Sequence, residues 1–200
     1  MLLDKKNAGL VIKGMALLVA LAFILSMVEY VAPYLGGGAG TQGAQQGVSD
    51  QRNAERAKEL EARLKADPKD FGAAKELGDL YWDSGAGYVQ SKDVTSAANY
   101  FMLAAQSYEK ALKLQPANDN VRTDRATALY YSGDAEQAKK ELRLVLKKTP
   151  SHANALFNLG LISKDTGDSE GAKWAWERYL KVEPNGDRAA QVKQDLPQLK

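Results

Sequence analysis

The side chains that most often perform chemistry in proteins are scarce in this chain. Its 200 residues include one histidine, His152, and no cysteine, so neither a thiol nucleophile nor a thiolate metal site can form. His152 lies between two predicted helices, and we interpret it as a solvated loop residue. Most acidic residues fall on predicted helix faces or caps. Since no Ser-His-Asp set or phosphate-binding glycine loop is recognisable, we predict a protein without enzymatic activity, cofactor or metal.

From Asp119 onward the sequence repeats itself with a period of 34 residues. Four pairs of residues stand one period apart: Gly133 and Gly167, Asp134 and Asp168, Ala138 and Ala172, and Pro150 and Pro184. In each unit the glycine suits the end of one helix, the aspartate caps the next, and the proline ends that second helix. The period predicts antiparallel helix pairs stacked on copies of themselves.

Further residues at fixed places resemble the tetratricopeptide repeat family. In unit 153–186 they are Leu156, Leu159, Gly160, Ala172, Trp176, Tyr179 and Pro184. In unit 119–152 they are Ala126, Leu129, Ala138, Leu142, Val145 and Pro150, while Arg125 stands where a leucine is usual. The resemblance implies an all-α fold, a short α-solenoid of about three helix-turn-helix repeats between capping helices.

An earlier unit, residues 71–118, fits the same pattern only with an insertion. Its matching residues are Ala74, Leu77, Gly78, Tyr81, Ala104, Tyr108, Ala111 and Pro116. Gly85 and Ala104 are 19 positions apart, against 5 between Gly133 and Ala138, which indicates 14 inserted residues. We expect a long second helix from Thr95 to Leu114, packed on an irregular loop through Tyr88 and Val89. Alternatively, the inserted part of this unit protrudes and forms a second docking surface that includes Tyr88, Met102 and Leu103.

The resemblance also implies a concave groove lined by first-helix residues. The family positions are Gly72, Lys75, Asp79, Trp82 and Asp83, then Asn120, Thr123, Thr127, Tyr130 and Tyr131, then Asn154, Phe157, Leu161, Lys164 and Asp165. As protein-binding residues we select Lys75, Asp79, Trp82, Thr123, Thr127, Tyr131, Phe157, Asn158 and Leu161. The rings could receive an apolar or aromatic segment of a partner. Alternatively, any of them packs only on neighbouring helices, above all Tyr130. A chaperone-type carboxylate clamp is not expected, since Asp79 would repel a carboxylate.

An apolar segment precedes the repeats. Gly14–Val28 contains no charged residue, and reaching back to Gly9 across Lys13 gives twenty residues, about the length that spans a bilayer. Lys5, Lys6 and Lys13 precede this segment, and no basic residue follows before Arg52. We therefore predict a single-pass anchor in residues 1–35, with a cytoplasmic N-terminus and extracytoplasmic repeats, periplasmic in a two-membrane bacterium. A signal peptide cleaved near residues 37–39 is the alternative.

Two caps and a linker complete the predicted organisation. Residues 36–48, rich in glycine and glutamine, are predicted to form a flexible linker. Residues 49–70 are predicted to form a helix that covers the N-terminal end of the array, with Ser49 or Asp50 as its N-cap, and residues 187–200 to cover the C-terminal end. Residues 71–200 form the repeat domain.

We predict a non-enzymatic, membrane-anchored adaptor or assembly factor that binds exported or membrane proteins in its aromatic groove. The net charge of +2 weighs against nucleic acid as the main partner, and no small-molecule substrate is expected. The chain resembles anchored repeat proteins of bacterial translocon, cytochrome-maturation and envelope-assembly systems. Residues 63–68 loosely resemble the cytochrome-maturation members. The alternative is an architectural subunit, held in a membrane complex by its transmembrane helix and its repeats.

Overall fold

The computed structural model describes residues 42–199, and their side chains from residue 51. Its helices are α1 (Gln42–Ala66), α2 (Phe71–Gln90), α3 (Val94–Leu114), α4 (Asp119–Tyr131), α5 (Ala135–Lys148), α6 (Ala153–Asp165), α7 (Ser169–Val182) and α8 (Ala189–Asp195), followed by a 3-10 turn, Leu196–Gln198. Helices α2–α3, α4–α5 and α6–α7 pair as hairpins, and each hairpin packs on the next. The predicted all-α repeat array is confirmed for this part of the chain.

The turn inside each hairpin has the same construction. A residue with positive φ is followed by an aspartate whose carboxylate accepts a hydrogen bond from the backbone three residues on, as Asp134 does from Gln137 and Asp168 from Gly171. The positive-φ residues are Gly133, at 100°, Gly167, at 78°, and Lys92, at 62°. The turn of the first hairpin is therefore Lys92-Asp93. The prediction that Gly85 takes the turn position of Gly133 was wrong.

The insertion is divided equally between the two helices of the first hairpin. Helix α2 has 20 residues against 13 in α4 and α6, and α3 has 21 against 14 in α5 and α7. Each helix thus gains seven residues, two turns and about 10 Å. The expected long α3 is present, but Tyr88 and Val89 lie in α2, not in an irregular loop. Gly85 is buried inside α2, where an added Cβ would come within 2.9 Å of the Phe101 ring.

Pairs of one small and one large residue hold the hairpins together. Gly78 faces the ring of Tyr108, and Gly160 faces that of Trp176. At the same place in the middle hairpin Ala126 and Leu142 are both fully buried in one cluster. The ring of Trp176 has no exposed surface, and its indole nitrogen donates a hydrogen bond to the Phe157 carbonyl at 3.1 Å. Burial of each large side chain stabilises the fold by roughly 1.5 to 3 kcal/mol.

Helix α1 covers the first hairpin as the predicted cap, but it begins earlier than expected. Leu60 is completely buried in a cluster with Leu77, and Asn53 donates a hydrogen bond to Ser84. Residues 42–48, predicted as part of the flexible linker, are helical, so neither Ser49 nor Asp50 is a cap. Extending a helix from a packed segment is easier than nucleating one, and glutamine and alanine favour that extension despite two glycines.

Arg125, which departs from the family pattern, belongs to a buried ionic cluster between α4 and α5. Its guanidinium and that of Arg122 each contact one oxygen of the Glu141 carboxylate at 2.6 Å. The side chains of Arg125 and Glu141 are 15% and 8% exposed. A charge at such burial requires a charged partner, and Glu141 supplies it.

His152 caps α6 and is not merely a solvated loop residue. Its Nδ1 accepts a hydrogen bond from the Ala155 amide at 3.3 Å, so its Nε2 carries the proton and donates to Asn120 Oδ1 at 3.0 Å.

The predicted membrane anchor lies outside the described residues. Among residues 42–199, none of the helices has both the length and the apolar character needed to cross a bilayer.

Candidate functional site

The first helices of the three hairpins, α2, α4 and α6, line one concave groove with a volume of about 600 Å³. All nine residues selected from the sequence border it: Lys75, Asp79, Trp82, Thr123, Thr127, Tyr131, Phe157, Asn158 and Leu161. The structure thus places them together, while a binding role for them stays a prediction. Four of the family positions, Gly72, Asn120, Lys164 and Asp165, are not among the lining residues.

Sequence reasoning missed five lining residues: Tyr108, Asp124, Ile162, Arg188 and Gln191. Tyr108 belongs to a second helix, and its ring reaches the groove because Gly78 leaves room for it. Arg188 and Gln191 come from the C-terminal cap, for which the repeat pattern gives no position. Asp124 and Ile162 each adjoin a family position in the sequence, so a wider window would have included them.

The aromatic rings of the groove divide into core and surface. Tyr130 and Phe157 are buried, with 8% and 6% of their surface exposed, and so contribute mainly to packing. Trp82 and Tyr131 are half-buried, and their ring centres lie 5.3 Å apart in an edge-to-face arrangement. Phe101 supports both rings from α3, at 4.9 Å and 5.1 Å. Trp82 and Tyr131 are therefore the rings that a partner could contact.

The polar residues at the centre of the groove are largely engaged with one another. Thr123 is 2% exposed and donates its hydroxyl hydrogen to the Asp119 carbonyl. Thr127 donates to the Thr123 carbonyl, and Asn158 donates to the Thr127 hydroxyl at 2.8 Å. Thr127 and Asn158 are therefore the polar side chains here that a partner backbone could reach, because Thr123 is buried.

Carboxylates concentrate at the α2–α4 end of the groove. Asp79 accepts hydrogen bonds from Lys75 at 2.6 Å and from the Tyr108 hydroxyl at 2.9 Å. Burial raises the pKa of Asp124 to about 6; Lys75 opposes this shift and Asp79 adds to it. Burial, followed by the charges of Asp79, Asp124 and Asp83, raises the pKa of Tyr108. All three carboxylates therefore act on the Tyr108 hydroxyl.

The other end of the groove carries a cation. The guanidinium of Arg188 lies 4.6 Å from the centre of the Phe157 ring and donates a hydrogen bond to Asn154 Oδ1 at 3.3 Å. Nearby, Tyr130 donates to Asp165 at 2.6 Å, and burial raises the pKa of that carboxyl. Among the described residues, no group of three or more histidine or acidic side chains is arranged to hold a metal ion.

The second surface predicted from the insertion contains one exposed apolar side chain. Met102 on α3 is 46% exposed, and Leu103 is half-buried. Tyr88 is half-buried too, and its ring stacks on Tyr100 with the ring centres 5.2 Å apart. A docking role for this surface stays a prediction.

Stacked helical hairpins with a shared concave groove define an α-solenoid repeat protein. Residues 92–190 match the family model described as cytochrome c-type biogenesis protein H TPR domain. Residues 92–190 accordingly match a tetratricopeptide repeat domain, the family that the sequence pattern resembles.

Two relatives and one solved structure are similar to this chain. A TPR repeat-containing protein of Rhizobium etli is 28% identical over 183 residues, which cover 86% of this chain and 85% of that protein. The co-chaperone sgt12 of Aspergillus fumigatus is 34% identical over 90 residues, which span 45% of this chain and only 26% of the co-chaperone. The crystal structure of MamA is similar in fold, with a TM-score of 0.56 and 21% identity over 71% of this chain and 78% of MamA.

Proposed function

We propose that this chain is a membrane-anchored adaptor or assembly factor whose groove binds segments of exported or membrane proteins. The observation that carries the proposal is the open groove itself, where Trp82 and Tyr131 present half-buried ring surface between polar and charged residues. Aromatic side chains of this kind are enriched among residues that dominate binding energy. We propose binding without catalysis, in keeping with the repeat domain that residues 92–190 match.

The proposed location rests on the sequence of the N-terminal segment. A twenty-residue stretch from Gly9 to Val28, interrupted only by Lys13, has the composition of a single span, and the preceding lysines orient it with the repeats outside the cytoplasm. The match of residues 92–190 to a cytochrome c-type biogenesis domain supports assembly of c-type cytochromes as the first process to test.

Co-purification of the full chain in mild detergent, quantified by mass spectrometry, tests the proposal. The groove variant is Trp82→Ala/Leu161→Ala. Its matched control is Trp174→Ala/Leu144→Ala, which removes the same side chains from positions 43% and 48% exposed and outside the groove. We expect the groove variant to lose its main partner by roughly tenfold or more, as truncation of central contact residues does, and the control to retain it.

A third variant separates the adaptor from the architectural subunit. It replaces residues 9–28 with an unrelated membrane helix and leaves the repeats unchanged. An adaptor keeps its partner in this variant. Loss of the partner here, together with retention in the groove variant, would instead establish a subunit held through its membrane segment. Retention of the partner in both variants would refute the groove as the binding site.

A further inference from the structure

The groove is charged unevenly along its length. Three aspartates, Asp79, Asp83 and Asp124, line the end formed by α2 and α4, and Lys75 is the basic residue beside them. Lys75 is paired with Asp79 at 2.6 Å. Within the part of the chain that the structure describes, Asp83 and Asp124 have neither a hydrogen bond nor an ion pair of their own. Three carboxylates and one ammonium group therefore give this end of the groove a net charge of −2 when all four are ionised.

Aromatic surface lies beside these charges. Trp82 stands between Asp79 and Asp83 in the sequence of α2, and it lines the same groove as Asp124. A ring face flanked by carboxylates is a favourable environment for a cation, because the quadrupole of the ring and the negative charges attract it together. At the opposite end the chain provides its own example of such a contact, the Arg188 guanidinium over the Phe157 ring.

We propose that the groove recognises a partner segment through an arginine or lysine side chain that binds between Asp83 and Asp124, against Trp82. The inference rests on the proposed function of the groove and adds the chemistry of its occupant. Complementary charge supports it, because a partner cation neutralises both unpaired carboxylates, whereas a carboxylate at this place would be repelled by them. A segment with a basic residue towards the α2 end and an uncharged or acidic one near Arg188 fits the groove.

The charged form of Asp124 is destabilised by burial, and this also supports a cationic occupant. Its carboxyl titrates near pH 6 because burial disfavours the charged form. The groups that face it are Lys75, Asp79 and the Tyr108 hydroxyl, and Lys75 is already engaged by Asp79. A bound cation stabilises a carboxylate in this unfavourable environment more than it stabilises a carboxylate that already has a partner.

Retention of peptide pools on the immobilised full-length chain tests the proposal. Four pools of random nonapeptides, otherwise uncharged, carry a fixed arginine, lysine, glutamine or glutamate at the centre. We expect the arginine and lysine pools to be retained roughly tenfold more than the glutamine pool, and the glutamate pool least, from one ion-pair contact and one cation–π contact.

Two variants with the same change in net charge locate the effect. Asp83→Asn/Asp124→Asn is expected to reduce retention of the basic pools to that of the glutamine pool. Glu55→Gln/Glu177→Gln changes two exposed side chains outside the groove and is expected to leave the preference intact. Circular dichroism confirms that each variant is folded.

The remaining outcomes separate this inference from the proposed function. Equal retention of all four pools, abolished by Trp82→Ala/Leu161→Ala, would refute the cation preference while leaving a peptide-binding groove. Loss of the preference in both charge variants would assign it to net charge and refute the site. Retention of none of the pools would overturn the inference, and the proposed function would then be judged by partner co-purification alone.

Discussion

Replacement of Gly160 by alanine tests how closely α6 and α7 approach each other. A Cβ at Gly160 would lie 2.2 Å from Cδ1 and 2.3 Å from Nε1 of Trp176, distances at which one of the groups must move. The indole is completely buried and hydrogen-bonded to the Phe157 carbonyl, so it has no adjacent space to enter. Overpacking of this kind costs about 1 to 3 kcal/mol, and loss of the indole hydrogen bond about 1 kcal/mol more.

Part of this loss is offset by helix propensity. Alanine in a helix interior is about 1 kcal/mol more favourable than glycine, so we expect Gly160→Ala to lower the free energy of unfolding by about 2 kcal/mol. Urea denaturation of the full chain in a fixed detergent, followed by far-UV circular dichroism, measures the change. Gly87→Ala is the control: its Cβ would meet nothing within 4 Å, and it should raise stability by about 0.5 to 1 kcal/mol.

The middle hairpin shows how the clash at Gly160 can be relieved. There Ala126 and Leu142, both fully buried, replace the glycine and the tryptophan. The double variant Gly160→Ala/Trp176→Leu recreates that pair, so it should be more stable than the sum of the two single changes predicts, by about 1.5 to 2 kcal/mol. Additive effects, or a neutral Gly160→Ala, would show that the close approach does not require glycine.

Three further changes probe the turn, the groove and the ionic cluster, each by urea denaturation of the full chain. Lys92→Gly should raise stability by about 1 kcal/mol, because a left-handed backbone strains any residue with a Cβ, and an equal gain from Lys92→Ala would contradict this reason. The raised pKa of Asp124 means that the folded protein binds a proton at this carboxyl more tightly than the unfolded one, so the ionising carboxyl lowers the free energy of unfolding as the pH rises through about 6. The free energy of unfolding of Asp124→Asn should therefore exceed that of the wild type by up to about 3 kcal/mol at pH 7, with no such difference near pH 3. Glu141→Ala leaves the two α4 arginines beside it without their shared anion and should cost about 3 kcal/mol, whereas a loss below 1 kcal/mol would mean that water replaces the carboxylate.

The repeat period was readable from the sequence wherever glycine occupies the left-handed turn position. Gly133 and Gly167 marked their turns correctly, since few other residues adopt positive φ without strain. In the first hairpin Lys92 takes this position, and a lysine gives no such signal. Gly85 was interpreted as the turn residue instead, but its role is to allow the close contact of α2 with the Phe101 ring. Two physical roles of glycine, a positive φ and a close approach, look the same in a single sequence.

The groove was predictable to the extent that it is formed by one repeated face. A positional rule for first helices found Trp82, Tyr131 and Leu161, because these side chains point the same way in successive hairpins. It could not find Tyr108, whose access depends on a missing Cβ in the facing helix, or Arg188, which belongs to a cap without repeat symmetry. The sequence also did not predict how deeply each ring is buried. Phe157 and Tyr131 both occupy family positions, but their neighbours in the structure differ.

The first hairpin also supports the groove from behind. Phe101 lies on α3, and its ring contacts both Trp82 and Tyr131 at centre distances near 5 Å. In the middle hairpin the corresponding position is Ala135, at the start of α5, which offers no ring to support a neighbour. The seven residues by which α3 is extended, 94–100, end just before Phe101, so this ring lies beside the insertion and not in it. It follows that Phe101→Ala should weaken partner binding in the co-purification assay even though it removes no residue that lines the groove.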